Sequence, residues 1–179
     1  MGNLVAVFGS SLAREGSSEY AIAYECGKYL AEAGFSVCNG GYGGVMEASA
    51  KGATEAGGLT VGVTVNHWER NVNAWIQREI KTSHLIDRLT KLVELGDAYV
   101  VLKGGTGTLL EFACVLELTN KDLMPRKPIV LVGDFWGKIV ETLRMESSAN
   151  AGNDCTDHIH VVQNALELAH YLKVTLLPQ

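Results

Sequence analysis

A chain of 179 residues, 47% hydrophobic and 20% charged, is long enough to bury a full core and has the balance of a globular domain. Its formal net charge of −5 argues against a general nucleic-acid or acidic-membrane surface. Four widely spaced cysteines (Cys26, Cys38, Cys114, Cys155) form no Cys-x-x-Cys pair, which excludes a recognisable disulfide framework or zinc site and fits a reducing, cytoplasmic setting. The chain enters at once into an apolar strand, Leu4–Phe8, too short for a signal-peptide core and without a basic flank. A helix over Ser18–Ala33 follows, then a strand at Phe35–Cys38 and a helix over Gly44–Ala56. Further strands are expected at Leu59–Val63, Ala98–Leu102, Pro128–Val132 and His160–Val162. Helices are expected over Leu85–Leu95, Thr108–Thr119, Gly137–Glu146 and Ala165–Lys173. No apolar run approaches the ~20 residues of a membrane span.

Strands this apolar on both faces suit a parallel sheet covered by helices on each side. The expected fold is therefore α/β, a doubly wound, Rossmann-like parallel sheet, with residues 1–179 forming a single nucleotide-binding domain. Two stretches fall outside the alternation. Asn66–Thr82 carries Trp68, Trp75 and Ile76 among polar residues, and fits a lid, an extra helix or a subunit contact. Ser147–Asp157 is small and polar and reads as a loop.

In such sheets ligands sit beyond the carboxyl ends of the strands. Three glycine-bearing turns reach that edge: Gly9-Ser10-Ser11 after the first strand, Gly40-Gly41-Tyr42-Gly43-Gly44 with Met46 after the second, and Gly104-Gly105-Thr106-Gly107-Thr108 before the fourth helix. The first turn lacks Gly-x-Gly-x-x-Gly, and the second strand ends Val37-Cys38-Asn39 with no acid for a ribose hydroxyl pair. No Walker A loop is present either. A dinucleotide or P-loop site is thereby excluded. What remains is a phosphate cradle for a mononucleotide or sugar phosphate, with anions drawn to a helix N-terminus. No metal, cofactor, nucleic-acid or membrane partner is expected; His158-x-His160 lacks a third ligand. A lysine decarboxylase would need a Schiff-base lysine with an acid partner for the pyridinium nitrogen, and none is found.

Glu111 ends the third run. Thr108-Leu109-Leu110-Glu111 has the form of a capping box, in which the two side chains satisfy free N–H groups at a helix start. Arg88 offers another use for it. Leu85, Leu89, Leu92 and Val93 form an apolar helical stripe with Arg88 on its flank. Ten residues of helix span ~15 Å, and the five-residue strand that follows climbs back roughly 16 Å. Arg88 and Glu111 should therefore meet at the ligand edge, where the guanidinium would keep the carboxylate ionised.

Taken together, these residues resemble the LONELY GUY (LOG) family. Its members carry Pro-Gly-Gly-x-Gly-Thr-x-x-Glu, an upstream arginine and a Gly-Gly-rich loop before a Met-containing helix. This chain matches with Gly104–Glu111, with Arg88 nine residues before Asp97-Ala98, with Gly40–Met46 and with Gly9–Ser11. It departs at Lys103, where the family has proline, at Leu89, where it has a basic residue, and at Leu85-Ile86-Asp87, where it has Met-His-Glu. The resemblance implies a Rossmann-like homodimer that hydrolyses a nucleoside 5′-monophosphate to free base and ribose 5-phosphate. It implies Arg88 and Glu111 as catalytic, and phosphate binding by the Gly105–Thr108 amides with the Thr106 and Thr108 hydroxyls. The apolar residues of Phe112–Leu118 are a loose support for dimerisation. The alternative is a non-catalytic carrier or sensor of a phosphorylated nucleotide or pterin, as in the family's molybdenum-cofactor-carrier branch, towards which Asn66–Thr82 leans. For hydrolysis, the sequence offers no second carboxylic acid to protonate the departing base.

Overall fold

The computed structural model describes residues 3–66, 68, 71–149 and 154–177. Seven parallel strands, β1 (Leu4–Phe8), β2 (Ser36–Asn39), β3 (Thr60–Val65), β4 (Arg78–Thr82), β5 (Ala98–Val101), β6 (Ile129–Val132) and β7 (Ile159–Val162), form one sheet in the order β4-β3-β2-β1-β5-β6-β7. Six helices connect them: α1 (Ser18–Glu32), α2 (Val45–Glu55), α3 (Leu85–Leu95), α4 (Thr106–Asn120), α5 (Gly137–Ala149) and α6 (Ala165–Leu176). The doubly wound, Rossmann-like α/β architecture is the one the apolar strands predict.

Side-chain alternation along each strand divides the interior into two cores. Val5, Val7, Val100 and Val130 join a cluster with residues of α1, α2 and α6. Their neighbours Ala6, Phe8, Tyr99, Val101 and Leu131 point the other way, into a cluster with α3, α4 and α5. The central strands β1, β5 and β6 are apolar at every position, because both faces are covered.

The register sets Phe8 beside Val101 and Ala6 beside Cys38. The strand order reverses between β1 and β5. The loops leaving these two strands are stitched together, Leu102 N–H donating to the Phe8 carbonyl at 2.9 Å and Ser10 N–H to the Lys103 carbonyl at 3.1 Å.

Three expectations change. In Asn66–Thr82, expected as a lid, an extra helix or a subunit contact, the last five residues form the edge strand β4, paired from Val61↔Arg78 to Val65↔Thr82. That strand is mostly exposed and reads Arg-Glu-Ile-Lys-Thr, so it lacks the apolar run that marks the buried strands. Helix α5 runs on through Ala149 into the stretch read as a loop, of which residues 150–153 lie outside the described residues. Residues 67, 69 and 70 of the Asn66–Thr82 stretch also lie outside them. The apolar residues of α4 offered as a dimer face belong to the chain's own core: Phe112, Val115 and Leu116 are all buried. Among the described residues, no helix is long and apolar enough to cross a membrane.

Candidate functional site

Helix α4 starts two residues earlier than the sequence pattern indicates. Gly105, extended at φ −98° and ψ −152°, is its N-cap, and no side chain caps it. Thr108 and Glu111 therefore stand inside the first and second turns, and the expected capping box does not form. Thr108 is buried, while Gly105, Thr106 and Gly107 are exposed. The first-turn N–H groups of an α-helix have no intrahelical acceptor. With the cap position empty of side-chain oxygen, these amides stand open as an anion site.

Arg88 reaches the same place from α3. It is only 6% exposed. Its Nε donates to the Val63 carbonyl at 2.8 Å, which anchors the side chain to the end of β3. Nη1 lies 3.5 Å from Glu111 Oε1, and Nη2 lies 3.7 Å from Met46 Sδ. The rings of Tyr42 and Trp68 each stand 5.8 Å from the guanidinium carbon. The meeting of Arg88 and Glu111, inferred from helix and strand lengths, is present in the fold.

Its electrostatic consequence is not the expected one. Burial pushes the Glu111 carboxyl up to about 7, outweighing the opposing pull of Arg88. Desolvation penalises the charged form, and an ion pair as loose as 3.5 Å recovers only part of the loss. Near neutral pH, Glu111 is thus divided between acid and carboxylate. It can both hold and deliver a proton, a capacity the sequence reading did not find.

Around this pair lies a cleft of about 400 Å³. Of the expected residues, Gly9, Ser10, Ser11, Gly40, Met46, Arg88, Gly105, Thr106, Gly107, Thr108 and Glu111 line it. Gly41, Gly43, Gly44 and Gly104 do not, and the first three belong to a loop that is braced from behind. Gly41 N–H donates to Asn39 Oδ1 at 2.8 Å, and its carbonyl accepts the Asn73 N–H at 2.8 Å. Asn73 Nδ2 also donates to the Tyr42 carbonyl at 2.8 Å. Gly44, at φ +73°, presses against the Ser10–Ser11 backbone, where a side chain has no room.

Two aromatic walls of the cleft were missed. Tyr42 is buried, its hydroxyl accepting the Val65 N–H at 2.9 Å. Trp68 is 38% exposed, with its ring 5.4 Å from that of Tyr42. An aromatic residue inside a glycine run, and an indole stranded among polar residues, were the available signals.

Other candidates part ways. Lys103 Nζ lies 2.6 Å from Glu19 Oε1, outside the cleft. His158 Nδ1 sits 2.9 Å from Asp157, whereas His160 stacks on Tyr171 with ring centroids 3.8 Å apart. Cys26 and Cys38 are buried thiols pushed up to about 12 by desolvation, and behave as small hydrophobes.

Known proteins share this architecture. The cytokinin riboside 5′-monophosphate phosphoribohydrolase of Rhodococcoides fascians is 30% identical over 135 residues, covering 73% of this chain and 67% of that protein. The molybdenum cofactor binding protein of Rippkaea orientalis superposes with a TM-score of 0.76 at 25% identity, covering 98% of each chain. The molybdenum cofactor carrier protein of Chlamydomonas reinhardtii superposes with a TM-score of 0.73, covering 99% of this chain and 100% of that one; at 24% identity the fold alone is shared. Residues 3–162 match the SLOG cluster4 family, a span that takes in all seven strands, the first turn of α4, Arg88 and Glu111. The chain belongs to the SLOG cluster4 family.

Proposed function

We propose that this protein is a carrier or sensor that binds a phosphorylated nucleotide or pterin in the cleft between α3 and α4. The observation that carries this reading is the uncapped first turn of α4, whose exposed Gly105, Thr106 and Gly107 line the same cleft as the Tyr42 and Trp68 rings. An anion site and an aromatic wall in one cavity suit a ligand with a phosphate at one end and a flat heterocycle at the other. The likeness to the molybdenum cofactor binding protein of R. orientalis supports a binding role.

Calorimetric titration with a panel of nucleoside monophosphates and a phosphorylated pterin tests this directly. Saturable binding of at least one, lost when Gly105 and Gly107 are both replaced by proline, is the expected result. Absence of binding across the panel sinks the reading.

A second reading has its own support in Glu111. A carboxyl group poised near 7 and paired with an arginine suits N-glycosidic hydrolysis, the reaction named for the R. fascians relative. In that reaction the C1′–N bond breaks, the departing base takes a proton, and water supplies the hydroxyl that bonds to C1′. Glu111 in its acid form would deliver that proton. As the carboxylate it would stabilise positive charge at C1′ or orient the water. Arg88 would hold the phosphate or ribose oxygens. Under this reading Glu111→Gln lowers the rate by ~10²–10³, the scale of one preorganised electrostatic group, with ligand affinity retained. An unchanged rate removes Glu111 from the chemistry, and no freed base from wild type leaves the carrier reading alone.

We further propose a homodimer, because Ile86, Leu109 and Leu110 expose apolar surface where α3 and α4 begin. Light scattering at the mass of a single chain would refute this.

A further inference from the structure

The reversal of strand order between β1 and β5 marks where ligands cross an open α/β sheet, in the crevice between the loops that leave the two strands. Here that crevice has two chambers. The first is the cleft already described. The second, also about 400 Å³, lies on the α1 side of the Ser10–Lys103 backbone hydrogen bond. The chambers share Ser10 and Leu12, and they divide the glycine turn, Gly104 lining the second and Gly105 the first. The chambers therefore adjoin along the Gly104–Gly105 step, where consecutive Cα atoms are ~3.8 Å apart.

The second chamber is lined by two cations, Arg14 and Lys103. Among the described residues, Arg14 makes no ion pair. Lys103 is held by Glu19, whose carboxylate approaches Nζ at 2.6 Å and also accepts from Ser18 Oγ at 3.1 Å. Glu19 is the single carboxylate lining this chamber, which leaves one positive charge over. In a chain of net charge −5, two cations gathered at the ligand edge need an explanation. Neither is buried in the core, and neither braces the sheet.

We propose that the second chamber is a subsite for a second phosphoryl group, so that the ligand is a diphosphate ester. One phosphoryl group lies on the α4 amides, and the next lies on Arg14 and Lys103. The Glu19 carboxylate is an internal anion that occupies Lys103 until this second group arrives. The inference rests on the phosphate-binding reading of the α4 turn and extends it in ligand class. Charge-assisted bonds to two cations add affinity that a monophosphate cannot gain.

The test uses inorganic phosphate and pyrophosphate as probes, so that no heterocycle need be known. Amide resonances are followed by NMR on the intact protein. Phosphate should perturb Gly105–Thr108 alone. Pyrophosphate should perturb Gly105–Thr108 together with Arg14 and Lys103, and bind about tenfold more tightly, a ratio in keeping with charge-assisted bonds. Arg14→Ala and Lys103→Met should each erase most of that gain and leave phosphate binding within about twofold. Glu19→Gln should increase the gain, because it frees Lys103. Equal affinity for the two probes, or variants that weaken both alike, overturns the subsite while the α4 site stands. If neither probe moves Gly105–Thr108, the α4 site itself falls, and the subsite falls with it.

Discussion

The loops after β2 and β5 are both rich in glycine, and Gly104 of the second is packed against the Thr108 side chain, yet a methyl group added at Gly40 or Gly44 meets surroundings opposite to those at Gly105 or Gly107. At Gly40 it would land on the Arg88 guanidinium, and 2.6 Å from Met46 Sδ; at Gly44 it would strike the Ser10–Ser11 backbone. At Gly105 and Gly107 it would meet nothing within 4 Å. The first loop uses glycine to let other groups approach, and so packs Arg88 against Met46 and Tyr42. The second leaves its amides uncovered. Glycine content therefore does not distinguish a ligand-binding turn from a packing turn. The space around the missing side chain does.

Removing Arg88 breaks this comparison most severely. At pH 8, Arg88→Ala removes the pull that keeps the buried Glu111 ionised, so that its carboxyl must stay charged without a partner or take up a proton, and it leaves the Val63 carbonyl without its donor. Loss of one member of a buried pair costs about 3–5 kcal/mol. At pH 5 Glu111 is protonated, so the cost should shrink towards that of lost packing alone. Urea denaturation at the two pH values measures the difference. Equal destabilisation at both would mean that Glu111 carries no charge in the folded protein at pH 8.

Glu111 itself gives the next largest effect, and its sign is fixed. Its folded value of about 7 lies above the ordinary 4.5. The folded state therefore binds the proton more tightly, and stability present below about pH 4.5 is lost as pH rises through 7. A shift of this size corresponds to something on the order of 3 kcal/mol. Glu111→Gln has no proton to lose, so its stability relative to wild type should rise by that order between pH 4 and pH 8. A flat difference across this window would show that Glu111 titrates as an exposed carboxylate does.

Gly40→Ala tests the packing loop. Overfilling of this kind costs about 1–3 kcal/mol, the lower end if the guanidinium swings aside. The sharper measurement is the double variant. In the Arg88→Ala background the clash with the guanidinium is gone and only the flexible Met46 thioether stands in the way, so Gly40→Ala should cost clearly less than in wild type, whereas additive costs would separate Gly40 from Arg88.

How legible these features were depended on how local their causes are. Helix α3 was bounded correctly because its apolar stripe is strong, and β1 to the residue, with β5 and β6 to within one residue, because both their faces are buried. The Arg88–Glu111 meeting followed from element lengths, a matter of arithmetic once the elements were right. Edge strand β4 was not legible, since one covered face and a charged sequence leave little periodicity. Tyr42 and Trp68 were missed as cleft walls because their place depends on Asn73 holding the β2–α2 loop, a contact 31 residues away in the chain. The Glu111 shift was beyond sequence reasoning for a similar cause: desolvation and the pull of Arg88 oppose each other, and only the 3.5 Å separation decides between them.

Gly107→Ala carries the smallest effect and tests the other loop. Residue 107 is the second residue of α4 and does not have the positive φ that would demand glycine. Alanine loses less backbone freedom than glycine on entering a helix, so the variant should be more stable than wild type by about 0.5–1 kcal/mol. Its N–H remains, so anion affinity should change little. A structural glycine would respond with a loss of stability, as Gly40 does. If Gly107→Ala destabilises the fold, the turn before α4 is packed like the loop after β2, and the distinction between the two loops fails.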